Sequence, residues 1–364
     1  MLFSYKPFTH IHRIENYDIY VQYFFFNLFL YEPNDISELI HNDFREIFDT
    51  HPVPIGDRLR NIYKIYLTLS RDEKIMVQNA FKQNQLIEKI CNNFISPIKY
   101  SDLENSISEE LKKFFNSSWT LLTNKNETTN TKIKEKCGNI YEHCCDLFID
   151  ERQNFTICPV CGIEELLGEH EACEDPNDGE KKKVREAYDH YLPKALYPFI
   201  SISFLNLIPI CGHCNNDYKY TYDTPYYENN RQKCFYPFSN QEINDIDIKI
   251  IFSQKVSVLN KSSDWEVSFL TSSNIEEEIV SWDRIFQVKQ RYMQRIKKKE
   301  KSWKNILIGA MKDKHATQSW SDFQEKFYNN IDIFGQTNGI IQKAYCDYYF
   351  SNLLPAYIEE ITDE

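Results

Sequence analysis

The chain has 364 residues, a formal charge of −12, 42% hydrophobic and 15% aromatic residues, and only 9 glycines and 13 prolines. This composition excludes a low-complexity or fibrous protein, and the acidic balance speaks against one that coats nucleic acid non-specifically. The length exceeds what a single ordinary core organises, so two or three domains are expected.

The opening stretch, MLFSYKPFTHIHRIENYD, mixes charge and polarity before any apolar run, unlike a secretory signal. The apolar run from Ile19 to Tyr31 is 13 residues long and is interrupted by Gln22 and Asn27. It is too short to span a bilayer and reads as a buried helix or a pair of strands. The expectation is a cytoplasmic protein with no membrane contact. Thiols stay reduced in that compartment, so the eleven cysteines point to metal before disulfide.

Asp35 and Glu38 have the spacing of a capping box. Ile36, Leu39, Ile40, Phe44, Ile47 and Phe48 then recur at helical spacing. The segment His51 to Gly56 breaks the pattern. Leu59, Ile62, Tyr63, Tyr66 and Leu69 form a second helical stripe, and Ser70 with Glu73 opens a third helix. The polar run from Thr123 to Lys132 reads as an exposed loop. Residues 1–150 are therefore expected to form a helical recognition or regulatory domain.

Residues 151–236 differ in kind. Cysteine, histidine, asparagine and proline crowd together and helical periodicity fades. Cys158-Pro-Val-Cys161 and Cys211-Gly-His-Cys214 are two C-x-x-C turns. Each turn can offer two thiolates, and four together satisfy a closed, structural zinc ion. A redox pair or plain buried cysteines are the other readings. His213 is a competing ligand inside the second turn. His143 with Cys144 and Cys145, or His170 with Cys173, lack a matching second group. The apolar SISFLNLIPIC segment before the second turn reads as a strand.

Residues 237–364 are expected to be a C-terminal α/β extension. Ile246, Ile248, Ile250 and Phe252 alternate with Asp247, Lys249 and Ile251, a strand pattern, and Val256 to Leu259 and Trp265 to Leu270 could be companions. A long helix is expected from Glu276, with Trp282, Ile285, Phe286, Tyr292 and Ile296 on its apolar side. More helix is expected from Ser321 to Ile361. Arg284 to Lys304 carries nine basic residues against Glu300 alone. Such a helix could lie along a DNA backbone through Arg291, Arg295 and Lys298, or could be a solvated face. The fold class expected for the whole chain is α+β.

Between the two cysteine turns lies Tyr188-Asp-His-Tyr-Leu-Pro-Lys194. The order Cys-x-x-Cys-Gly, Asp-His-x-x-Pro-Lys, Asn-Leu-Ile-Pro-x-Cys-x-x-Cys-Asn, then Lys resembles the HNH endonucleases of the ββα-metal fold. The resemblance covers residues 158–219. It implies that His190 is the general base for water attacking a DNA phosphodiester, leaving a 3′-hydroxyl and a 5′-phosphate. It implies that Asp189 binds catalytic magnesium or manganese, and that Asn206 holds the loop orienting the His190 ring. Asn215 would be the second oxygen ligand, with the adjacent Asn216 as the alternative, and Lys219 would touch phosphate. The third family letter is often histidine and is asparagine here. The charged run Glu180 to Lys183, in the loop from Gly162 to Tyr188, could extend a DNA groove. Proteins of this kind often serve bacterial defence against phage or plasmid DNA beside a separately encoded ATPase or other defence subunit. No G-x-x-x-x-G-K-[ST] occurs in this chain. The rival reading is a non-catalytic zinc module that binds nucleic acid or a protein, which would not need Asp189, His190 and Asn215.

Overall fold

The computed structural model describes all residues except 124–130, 151, 153–154, 167–171, 175–180, 184–187, 240–245, 253–264, 313–318, 334 and 353–364. The apolar run near the start forms helix α1 (Glu15–Tyr31), resolving the choice between helix and strands. Helices α2 (Asn42–Thr50), α3 (Asp57–Thr68), α4 (Arg71–Asn84), α5 (Ile87–Cys91), α6 (Asn105–Thr123), α7 (Thr131–Cys137) and α8 (Ile140–Ile149) follow. Ser70 and Glu73 make both bonds of a capping box and start α4. Such a cap contributes about 1 kcal/mol. Asp35 behaves differently. Its carboxylate accepts from Ser37 N and caps a single 3₁₀ turn, Ile36–Leu39. The expected continuous helix therefore breaks at Ile40 and His41 before α2 begins.

Short antiparallel strand pairs follow. Strands β1 (Ala172–Glu174) and β2 (Lys181–Lys183) form a small hairpin. Strand β3 (Tyr188–His190) pairs with β4 (Leu207–Pro209) in the register Tyr188 to Pro209, Asp189 to Ile208 and His190 to Leu207. The strand expected over 201–211 is thus mostly not strand. Asn206 ends a 3₁₀ turn, Phe204–Asn206, and only three residues join the ladder. Strands β5 (Tyr226–Tyr227) and β6 (Asn230–Arg231) pair next, then β7 (Asp247–Phe252) and β8 (Trp265–Leu270). The Val256 to Leu259 strand expectation lies outside the described residues.

The helix expected from Glu276 is two helices, α9 (Glu276–Phe286) and α10 (Val288–Lys312). Gln287 between them has φ 49° and donates its N–H to Asp283 O. The Asp283 carboxylate accepts from Lys289 N at 2.8 Å and so caps the second helix. Helices α11 (Trp320–Tyr328) and α12 (Gly339–Asn352) end the described chain. The fold is a mixed α+β one. Among the described residues, no helix is long and apolar enough to cross a membrane.

Two clusters of buried side chains organise these elements. One joins the N-terminal helices to Tyr188, Phe199, Ile202, Phe204 and Leu207. The other joins the cysteine turns to Leu2, Phe3, Trp265, Trp282, Tyr292, Ile340 and Tyr345. Strand β3 and the loop after it lie at the seam. Tyr188 faces the first cluster, whereas Tyr191 and Leu192 face the second.

Within the first cluster, Asp18 on α1 is 9% exposed and accepts from Gln22 Nε2 at 2.8 Å. Burial pushes its carboxyl up to about 7, against the Gln22 bond. The folded chain holds a proton there that the unfolded chain releases near pH 4. The Asp18 contribution is thus fully present below the unfolded value and falls as pH rises toward 7. Asp18→Asn is expected to match the parent at pH 4 and to exceed it by a few kcal/mol at pH 8. Urea unfolding at the two pH values measures this; an equal effect at both would contradict it.

Candidate metal centre and active site

The four cysteines of the two C-x-x-C turns are buried, and their sulfurs all lie within 4.8 Å of one another. Cys158 Sγ is 3.9 Å from Cys214 Sγ, and Cys161 Sγ is 3.9 Å from Cys211 Sγ. Four thiolates about 2.3 Å from a central zinc ion in a tetrahedron would stand ~3.8 Å apart. The group could therefore hold a metal such as zinc. His213 is exposed and pairs with Asp217 at 2.6 Å, outside the sulfur cluster.

The first turn needs its glycine. Gly162 has φ 62°, and its N–H closes on Cys158 O at 2.8 Å. A Cβ there would meet Ile340 Cδ1 at 2.6 Å and Leu2 Cδ1 at 2.7 Å. Leu2 N bonds Pro159 O at 2.9 Å, Trp282 Nε1 bonds Val160 O at 2.8 Å, and Tyr292 Oη bonds Cys161 O at 2.8 Å. Polar groups from α9 and α10 thus satisfy the turn's carbonyls.

Arg291, expected on a DNA-facing surface, is buried instead. Its Nη1 lies 3.2 Å from Cys214 Sγ, and its guanidinium sits 4.4 Å from the Tyr218 ring centroid. Burial opposes its charge, but the sulfurs of Cys161 and Cys214 outweigh that and push its pKa up. The physical reason is local charge balance: four thiolates around a divalent ion keep a net negative charge that a guanidinium offsets. Arg295 is also engaged, paired with Glu164. Arg284 donates toward Thr224 O and Tyr226 O. Lys298 is exposed, as are Lys297, Lys299 and Lys301.

Strand β3 ends at His190. Its Nε2 lies 2.8 Å from Ser201 O. A carbonyl only accepts, so Nε2 carries the ring proton and Nδ1 keeps a lone pair. The ring stands edge-on to Trp119 of α6, with centroids 4.4 Å apart, and Lys194 Nζ lies 5.2 Å from the Trp119 centroid. Burial first, then the Lys194 charge, push the imidazole pKa down to about 3. His190 is neutral at pH 7 with a lone pair on Nδ1, and the burial that keeps it neutral also makes it a weaker base than an ordinary imidazole.

Asp189 is buried beneath it. Its Oδ1 accepts from Lys219 Nζ at 2.9 Å, and the same ammonium donates to His190 O at 2.7 Å. Lys219, expected at a phosphate, is 2% exposed and locked inside. A buried carboxylate requires a counter-charge, and the ammonium is the nearest one. Burial raises the Asp189 pKa, and Lys219 opposes that. Asp189 Oδ2 is buried with no hydrogen-bond partner among the described residues.

Asn206 is fully buried. Its Oδ1 accepts from Leu192 N at 2.8 Å, and its Nδ2 donates to Leu192 O at 3.0 Å and Ile200 O at 3.4 Å. It therefore clamps both ends of the loop that presents the Ser201 carbonyl to His190. Ser201 Oγ donates to Phe115 O at 3.1 Å, which ties this loop to α6. Lys219 ends a short wide helix, His213–Lys219. Asn215 lies on it four residues before Lys219, half-buried, with its carbonyl accepting from Tyr220 N at 3.0 Å. Asn216 is exposed.

Trp119 and Ser201 carry no sequence signal for this site: one is a helical aromatic, the other a serine in an apolar run. Comparison of the chain with protein-family models, curated proteins and solved structures finds no match.

Zinc analysis of the purified chain should find one ion per chain, lost together with folding in Cys161→Ser. Arg291→Met should keep the ion but release it to a chromogenic chelator about tenfold faster, as for loss of other outer contacts of metal ligands. An unchanged release rate would show that the guanidinium does not support the sulfur cluster.

Proposed function

We propose that the chain is a metal-dependent endonuclease of the HNH type that hydrolyses DNA. The observation that carries this reading is the succession on β3 of a buried carboxylate, whose Oδ2 has no partner among the described residues, and a neutral histidine of fixed tautomer. A carboxylate oxygen and an amide oxygen are hard donors that suit magnesium or manganese, and Asp189 and Asn215 would hold it. When bound, such a cation supplies charge neutralisation at the scissile phosphate and the leaving oxygen. His190 Nδ1 takes the proton of the attacking water as its oxygen bonds to phosphorus. The bond to the 3′ oxygen breaks, and that oxygen takes a proton from solvent water to give the 3′-hydroxyl. The 5′-phosphate remains on the other product, and His190 returns its proton to solvent. The Ser201 carbonyl fixes the ring and its tautomer, Asn206 fixes that carbonyl's loop, and Lys219 fixes the Asp189 carboxylate. The exposed Lys297, Lys298, Lys299 and Lys301 of α10 are the basic surface left to meet the DNA backbone. Defence against phage or plasmid DNA in the cytoplasm, with a separately encoded ATPase or other subunit, is part of the same reading and rests on the HNH resemblance.

One observation favours the rival, a zinc module that binds without cutting. Lys219 already supplies a cation to Asp189 and leaves one carboxylate oxygen for a metal. Plasmid cleavage in magnesium or manganese separates the two readings. His190→Ala should lose on the order of 10²-fold or more in rate with zinc content unchanged, the usual scale for a general base. Asn215→Ala should raise the magnesium needed for half-maximal cutting, while Asn216→Ala should not. Absence of cutting by the parent, or equal cutting by His190→Ala, would discard the nuclease reading.

A further inference from the structure

Helix α1 carries large apolar side chains on more than one face, and only part of them meet a core. Tyr17, Val21, Phe24, Phe25 and Leu28 are buried, with Phe25 against Phe115 and Phe199. On the outer face, Ile19 is 39%, Tyr23 40%, Phe26 58% and Leu30 55% exposed. Single exposed apolar residues need no explanation. These four are aligned. Their spacing of four, three and four residues is that of the a and d positions of a heptad, the seam that one helix offers another.

We propose that this face is a homodimer interface, in which α1 packs on α1 of a second copy about a two-fold axis. Three observations select that occupant. First, the polar residues beside the seam, Gln22 and Asn27, are uncharged. Like charges would penalise a copy and opposite charges would recruit a charged partner; neither stands at these two positions, and the acid at the end of the strip, Glu32, is already paired with Lys74. Secondly, no Lys or Arg lies between Arg13 and Arg45, while Glu15, Asp18, Glu32, Asp35, Glu38 and Asp43 do. An anionic lipid surface would be repelled by such a segment. Thirdly, the four seam residues and the adjoining Tyr31, 69% exposed, form a strip of roughly 500 Å² per copy. Doubled by symmetry, this is on the order of 1,000 Å², the lower edge of a specific interface. A two-fold arrangement uses the same strip twice and needs no other complementary surface. The inference is independent of the nuclease reading.

Sedimentation velocity of the full, zinc-loaded chain tests it. At roughly 100 μM, where an interface of micromolar affinity is saturated, the expected species has twice the 43.5 kDa chain mass. Phe26→Lys with Leu30→Lys should give a monomer with unchanged helical signal and with the parent's thermal midpoint at dilutions where the parent has also dissociated. Phe94→Lys, at a position 76% exposed elsewhere, should remain a dimer. Asn27→Lys replaces a half-buried polar side chain whose Nδ2 donates to Tyr23 O at 2.8 Å, and should raise the dissociation constant about tenfold by like-charge repulsion across the seam. A monomeric parent at that concentration, or a dimer that survives the double variant, overturns the proposal.

Discussion

Convergence of four sulfurs on one point is the constraint from which the centre of this protein is built. The 49 residues between Cys161 and Cys211 leave one C-x-x-C turn and return to the other. Strands β3 and β4 contribute only three paired residues each and have no wide sheet to lean on. Two-stranded pairs of this size are marginal alone. Their register depends on the turn that follows Pro209 being fixed at the sulfur cluster. A bound metal converts coordination free energy into folding free energy for such a segment.

The cluster also organises what lies outside the loop. Carbonyls of the first turn are taken by Trp282 and Tyr292, and a sulfur of the second by Arg291. The C-terminal helices are thus fastened by polar bonds to a small irregular element, and not only by apolar packing. On the other side of β3, Trp119 and the Ser201 to Phe115 bond attach the N-terminal helices to the histidine. The two buried clusters meet at β3, where burial raises the Asp189 pKa and lowers that of His190.

Much of this was legible in the sequence because its cause is local. The two cysteine turns follow from spacing, the α4 start from Ser70 and Glu73, and the β7 and β8 strands from alternation. Failures have a common origin in distant partners. Nine basic residues in one stretch read as a surface, yet Arg291 answers to a sulfur 77 residues earlier in the chain. Lys219 is expected at a phosphate, yet a carboxylate 30 residues away holds it inside. Trp119 becomes part of the histidine's surroundings only through packing of α6, which no spacing encodes. The single helix expected after Glu276 fails at Gln287, where the Asp283 side chain caps a new start.

The crowding at Gly162 has a mechanical meaning. Leu2, from the N-terminal stretch, and Ile340, from α12, fill the space that a side chain at Gly162 would need. Two regions more than three hundred residues apart are therefore wedged into a single hairpin bend, like the two ends of a strap tucked under one buckle. Sequential melting from either extremity would have to open that bend. Denaturation of this half of the molecule should accordingly proceed as one event, and trimming it from either side should yield insoluble fragments in place of a smaller stable body.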